Sequence, residues 1–245
     1  MIKALVINLV LFVVLPHSFA AEISAYHLIG VDSNNDGYES NILVGIEPVK
    51  KQKISLDFLS QVRNIGNSEL KDSIYTLNHY YSGERFYFNT ILGVNSESTF
   101  LPKLKYGGSL YYALFDSLEV NIGYTISDYA LDSVGLLRVG VTYRTRNNCS
   151  FGLNNYLSSQ SESVYSLAIM NSCEWSRYGY RGDFGFGETF ADIGLKDDFF
   201  EGSLFVYRKH KKITYGLKFK RYTSNYLNES YVGVQFKYFP NWGNL

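Results

Sequence analysis

The sequence predicts an all-β protein: a single closed antiparallel transmembrane β-barrel of about fourteen strands, with twelve as the alternative count, short periplasmic turns and longer extracellular loops. Three observations carry this reading. The chain is 17% aromatic, with 22 Tyr, 17 Phe and 21 Gly against 4 Pro, a composition that suits strands rather than helices. Apolar and polar residues alternate at period two along most of its length, which helical spacing does not explain. An apolar leader opens the chain, and no later apolar run reaches the length of a spanning helix.

The leader comes first. Met1–Ala20 carries one charge, Lys3, then the apolar run Ala4–Leu15, then Pro16. Ser18 and Ala20 place small residues at the minus-three and minus-one positions of a cleavage site. This is the plan of a secretory signal peptide, 1–20, with cleavage expected after Ala20. An uncleaved N-terminal anchor is the alternative. The remaining 21–245 form the barrel domain, ending in a short tail, 240–245. Loss of Lys3 takes 23 basic and 23 acidic residues to 22 and 23, a net charge of −1. Without a basic excess no nucleic-acid partner is expected, and the aromatic content excludes a disordered chain. An exported chain with no spanning helix is either a soluble secreted domain or a membrane barrel.

In order, the candidate strands lie near 22–31, 38–48, 53–65, 73–82, 85–95, 104–114, 118–128, 133–144, 148–158, 164–173, 179–188, 198–208, 213–223 and 229–239. Most run to about 9–11 residues, the length a tilted strand needs to cross a bilayer. In Arg85–Val94, Phe86, Phe88, Thr90, Leu92 and Val94 share one face, with Tyr87, Asn89, Ile91 and Gly93 on the other. In Leu118–Ser127, Leu118, Val120, Ile122, Tyr124 and Ile126 oppose Glu119, Asn121, Gly123, Thr125 and Ser127. Ile213, Tyr215, Leu217 and Phe219 likewise oppose Thr214, Gly216, Lys218 and Lys220, and Val232–Tyr238 repeats the pattern.

The connections alternate in length. Lys50–Gln52, Ser82–Glu84, Phe115–Ser117, Thr145–Asn147 and Lys209–Lys212 are tight. Asp32–Gly37, Gly66–Asp72, Ser96–Lys103, Ser159–Ser163, Phe190–Asp197 and Ser224–Asn228 are mostly longer and polar. That is the pattern of periplasmic turns and extracellular loops. Ala130–Asp132, a short outer loop, and Glu174–Tyr178, a long inner turn, are the expected exceptions. Pro48, Pro102 and Pro240 fall at strand ends or in loops and interrupt no ladder. A soluble sandwich or propeller is the competing architecture. Tyr at so many strand ends favours the barrel, where it forms interfacial girdles.

Cys149 opens one candidate strand and Cys173 closes the next. Their midpoint falls in the Ser159–Ser163 loop, so they face each other across an antiparallel pair at its periplasmic end. Their parity places them with Phe151 and Leu153 on one strand and Leu167 and Ile169 on the other. An exported chain permits the disulfide; two free thiols are the alternative.

The chain is read as a non-enzyme with no cofactor and no metal. A barrel hydrolase needs a His beside Ser or Asp, and after the leader only His27, His79 and His210 remain. Parity sends His27 and His79 outward, and His210 lies in a basic turn. Asp32–Gly37 opens like a calcium loop, but Leu43 stands where a bidentate Glu is needed, so it reads as a polar turn.

The inward faces are more informative. By parity they include Glu47, Asp57, Gln61, Arg63, Glu119, Asn121, Arg138, Arg181, Asp183, Lys218, Lys220 and Lys237. Facing lipid, such charges would cost several kcal/mol each, so a shared interior is their place. A polar lumen that conducts or binds a hydrophilic solute and a plugged interior of paired charges both remain open.

The central stretch adds a resemblance. Tyr80-Tyr81-Ser82 leads into Phe86–Gly93, then Thr99-Phe100-Leu101-Pro102 and Tyr106-Gly107-Gly108. Leu118-Glu119-Val120, Gly123-Tyr124, Tyr129 and Val139–Tyr143 follow, with Tyr156 after them. Over about 80–200 this resembles the YaiO family of outer-membrane β-barrel proteins. The resemblance implies a single barrel in the outer membrane and supplies no catalytic residue. Phe239 or Trp242 is the candidate signal for the insertion machinery. The expected role is a channel or conduit for small hydrophilic or saccharide solutes in the Gram-negative outer membrane. A closed-lumen structural or binding barrel is the alternative, and an envelope hydrolase the third class. Outer membrane lipids, the barrel-insertion machinery and a polar or saccharide solute are the expected partners.

Overall fold

The computed structural model describes residues 20–31, 37–65, 68–95, 98–130, 132–160, 163–190, 196–225 and 227–239. The leader before Ala20, the 32–36 part of the calcium-like loop and the tail with Trp242 lie outside the described residues. The first strands are β1 (Ala20–Gly30), β2 (Tyr38–Val49), β3 (Gln52–Ile65), β4 (Ser68–Ser82), β5 (Phe86–Asn95), β6 (Leu104–Phe115) and β7 (Leu118–Asp128). Then come β8 (Ser133–Arg144), β9 (Cys149–Ser159), β10 (Ser163–Trp175), β11 (Tyr178–Phe190), β12 (Lys196–His210), β13 (Ile213–Ser224) and β14 (Asn228–Tyr238).

Each strand pairs antiparallel with its sequence neighbours, and β1 pairs with β14, so one sheet closes on itself. At the seam Ile23 lies opposite Tyr238 and Gly30 opposite Tyr231. Closure is what makes the chain compatible with lipid, because the closed order leaves no open sheet edge. The strand count is fourteen, not twelve, and a single closed sheet replaces the sandwich alternative.

Side chains alternate across this wall. On β13, Leu217 lies level with Val206 and Val234 and is 52% exposed, while Lys218 beside it lies level with Phe205 and Gly233. Leu92, Leu110, Ile122, Val139 and Leu153 continue the outer apolar band. Exposed Tyr and Trp mark its two ends, with Tyr143, Trp175 and Tyr178 near the tight turns and Tyr106 and Tyr165 near the outer loops, while Phe184 and Phe219 stand mid-strand. The Tyr and Trp rings are apolar bodies with polar tips, suited to the two water boundaries.

Two boundaries differ from the sequence reading. The Glu174–Tyr178 turn is not long: β10 continues to Trp175, β11 begins at Tyr178, and only Ser176 and Arg177 connect them. Ser176 takes φ 50°, as Lys51 (74°), Asn148 (57°) and Lys211 (52°) do in three other turns of this end. A left-handed residue lets the chain reverse in a few residues. The Gly66–Asp72 loop also shrinks, because Val62 pairs with Lys71 and Asn64 with Glu69, leaving 66–67 as the connection. Pairing with a neighbouring strand overrides the turn-forming composition there. β3, β4 and β12 reach 14, 15 and 15 residues. That exceeds the roughly 9–11 needed to span, so the β3–β4 and β11–β12 hairpins extend past the hydrocarbon.

Cys149 and Cys173 lie directly opposite each other and are disulfide-bonded. The bond sits on the outer face at the periplasmic end. The Tyr180 hydroxyl lies 3.7 Å from the Cys173 Sγ and donates to Asn171.

Candidate functional site

The interior divides into a packed side and a more open side. On the packed side, Glu39 of β2 is 3% exposed and collects three donors. The Tyr26 hydroxyl donates to its Oε1 at 2.6 Å, and Lys220 Nζ and the Gln61 amide donate to its Oε2, the former at 3.0 Å. Lys218 places its ammonium 3.7 Å from the centre of the Tyr26 ring, a cation–π contact. Asp57 accepts from Asn41 and feels the charge of Lys105.

Above this network the β5–β6 loop is strapped into the mouth. The Asp72 carboxylate accepts the backbone N–H groups of Thr99, Phe100 and Leu101 at 3.0, 2.6 and 2.6 Å. Asp72 is fully buried there. Phe100 is pulled down against Arg63, whose guanidinium lies 4.5 Å from the ring centre and pairs with Glu229 at 3.4 Å. Asp197, also buried, holds the Asn225 N–H of the β13–β14 loop at 3.1 Å. Both loops are thus tied inward by a carboxylate on the wall.

On the open side, Glu119 accepts from Arg144 at 2.9 Å and from the Tyr87 hydroxyl at 3.1 Å. The Tyr87 and Tyr111 rings stack at 4.2 Å. Arg138 donates to the Tyr111 hydroxyl at 2.5 Å. Asn121 donates to Asn154 at 3.2 Å. Arg181 pairs with Asp183 at 3.2 Å, and the Ser203 hydroxyl donates to the same carboxylate at 3.3 Å. Nearer the periplasmic end, Lys53 pairs with Glu22 and Lys209 with Glu174. Glu47 stands opposite Ala20 at the rim, and Lys237 stands opposite Ser24 on the seam.

Two cavities run along this open side. One of about 380 Å³ lies towards the outside and has Asp183, Glu201 and Ser203 in its wall. The other, of about 330 Å³, lies towards the periplasm and has Glu119, Arg138, Arg144 and Arg181 in its wall. Tyr156 lines both. The turns at the periplasmic end carry Lys50, Lys51, Arg85, Arg146, Arg177, Lys211 and Lys212 against Glu84 and Asp116.

The strand registers therefore bring Gln61 and Lys220 together at Glu39, and Arg181 to Asp183, while Arg63 and Asp57 find partners outside the sequence-derived set. That set omitted Glu39 itself, although it shares parity with Glu47 on one strand. It also omitted Asp72, which composition had placed in a loop. His27 faces outward and shares a 2.7 Å hydrogen bond with Ser40. His79 packs its ring edge-on to Phe88 on the same outer surface. Among the described residues no group of three His, Cys, Asp or Glu is placed to hold a metal.

A closed sheet with a lipid-facing outer band and charges inside defines a membrane-spanning β-barrel. The YaiO membrane beta barrel domain matches residues 44–181, and the chain belongs to that family of outer-membrane barrels. The match starts and ends earlier than the 80–200 stretch that carries the resemblance. No curated protein matches the chain in sequence. Among solved structures it is similar to a bacterial polysaccharide outer membrane secretin, at 10% identity and TM-score 0.58, covering 89% of this chain and 98% of that one. The outer membrane protein Omp33 of Acinetobacter baumannii is similar at 11% identity and TM-score 0.58, covering 90% and 98%. A loop-deletion mutant of OmpT, an outer membrane protein of Vibrio cholerae, follows at 9% identity and TM-score 0.53, covering 91% and 98%. At these identities the likeness is one of fold.

Proposed function

We propose that this barrel is a conduit for small hydrophilic or saccharide solutes, acting without catalysis. The observation that carries the reading is the pair of lumen cavities that share Tyr156 in their walls. They lie along the side of the lumen that the Glu39 network and the strapped β5–β6 loop leave unfilled. A protein of the same fold described as a polysaccharide secretin suits a saccharide-sized path. The export route in this reading is a signal peptide cleaved after Ala20, so that β1 of the mature protein starts at Ala21 and Glu47 loses its cross-strand neighbour, and insertion by the barrel-insertion machinery, with Phe239 closing the last strand. The test is conductance. Purified protein in a planar bilayer should give discrete ion-conducting steps. A bilayer that stays silent while the inserted protein is shown to be folded would overturn the conduit. It would favour the second reading, a closed structural barrel, which the packed Glu39 side supports.

A further inference from the structure

The cations and carboxylates of the periplasmic half of the lumen do not cancel residue for residue where the cavity lies. Glu22 is taken by Lys53, Glu119 by Arg144, Glu174 by Lys209 and Asp183 by Arg181. Among the described residues Arg138 makes no ion pair with a carboxylate. It donates to the Tyr111 hydroxyl and lies 5.3 Å from that ring's centre, and it stands opposite Tyr156 across the β8–β9 pair. An arginine guanidinium presents five N–H donors in a fixed fork, of which one is used by Tyr111. Its Nε has no hydrogen-bond partner.

The rest of the same cavity is built from groups that recognise hydroxyls. Asn154 is 2% exposed and Asn121 6% exposed, and the Asn121 Oδ1 is an acceptor with no donor. The stacked Tyr87 and Tyr111 rings add an aromatic wall. The cavity thus combines an uncompensated cation, an unfilled acceptor and an aromatic wall in about 330 Å³. The outer cavity has the carboxylate of Glu201 in its wall, beside Asp183, which Arg181 already pairs. The periplasmic turns carry seven basic residues against two acidic ones, a field that draws anions to that mouth.

Building on the conduit reading, we infer that the periplasmic cavity is a subsite for an anionic polyhydroxyl solute, such as a carboxylated sugar, with Arg138 as its anion-binding residue. The carboxylate takes the guanidinium fork, a solute hydroxyl donates to Asn121, and the sugar ring lies against the tyrosine pair. Arg138 and Asn121 reach the solute by side-chain movements within the cavity, since the Arg138 Nε and the Asn121 Oδ1 are shielded in its wall.

The test uses sodium glucuronate and glucose as paired probes. Each is titrated calorimetrically into the folded full-length protein in detergent micelles, and each is added to the periplasmic side of a planar bilayer. Glucuronate should bind at least about tenfold more tightly than glucose, the scale of one charge-assisted hydrogen bond. Arg138→Gln should remove that preference, and Arg138→Lys should keep part of it. Asn154→Asp, which sets a carboxylate in the same cavity, should weaken glucuronate without weakening glucose. Folding of each variant is checked by its gel shift on boiling. Equal binding of the two probes, or a preference that survives Arg138→Gln, overturns the subsite. Glucuronate-selective binding in a barrel that passes no current supports the subsite and sinks the conduit. Conductance with no charge preference does the reverse.

Discussion

Lys220 and Glu39 are 181 residues apart in the chain and 3.0 Å apart in the fold. One sits on β13 and the other on β2, so their bond crosses the lumen side of the β1–β14 seam. It ties the first hairpin to the last, where the ring is joined by residues from opposite ends of the sequence.

Breaking this pair from one side should therefore cost more than removing it whole. Lys220→Met leaves a buried carboxylate with only Tyr26 and Gln61, and a loss of about 3 kcal/mol is expected, the low end for a broken buried pair. The double variant Glu39→Gln, Lys220→Met should recover much of that loss. Urea unfolding in lipid vesicles, run on both singles and the double, measures the difference. Additive single losses would show that the pair contributes nothing as a unit.

The face assignment of β13 makes a second prediction. Leu217→Arg puts a charge on the lipid face and should destabilise by about 2–4 kcal/mol near the bilayer midplane. Lys218→Leu lies one residue away on the inner face and should fold nearly as well as the native chain. If the first variant folds normally and the second fails to insert, the strand's register is one residue out.

The strap across the mouth is testable by proteolysis. Asp72→Asn keeps the shape but turns one accepting oxygen into an NH2 that cannot accept, so at least one of the N–H bonds from Thr99, Phe100 and Leu101 is lost and the rest lose their charge assistance, at a cost of about 2 kcal/mol. The 96–103 loop should then be cut by protease added outside, whereas the native loop resists. Equal cleavage of both proteins would mean that Asp72 does not hold the loop.

The disulfide should be intact in protein taken from the cell envelope, and mass mapping without reductant reads it directly. Cys149→Ser with Cys173→Ser should lower stability by about 3 kcal/mol or less, since the bond closes a separation of only 24 residues. Two free thiols in native protein would refute the bond.

What the sequence reveals, and what it hides, follows from the physics of a barrel wall. Lys218 and Leu217 can be told apart because lipid and water impose opposite demands on adjacent residues. Cys149 and Cys173 can be paired because hairpin register is simple arithmetic about a turn. Asp72 could not be recognised, because Gly66, Asn67 and Ser68 read as a loop, and only pairing with β3 makes their successors a strand. The Ser176 turn was hidden for a related reason: a left-handed Ser has no signature in composition. The division of the lumen was hidden more deeply. Inward parity names Lys220 and Arg138 alike, yet among the described residues one is matched by Glu39 and the other by no carboxylate. That distinction depends on which strands face each other across the interior.

The β1–β14 seam has a consequence in time. Export delivers the N-terminal strand first and Asn228–Tyr238 last, so nothing can close the ring until almost the whole chain has crossed the inner membrane. Throughout that interval β1 offers an unpaired edge, the kind of surface that recruits other chains. Contacts between such distant segments also form slowly. The barrel therefore carries its own completeness check: a chain cut short before its final strand has no mate for Ile23–Gly30. It stays an open sheet with an unpaired edge.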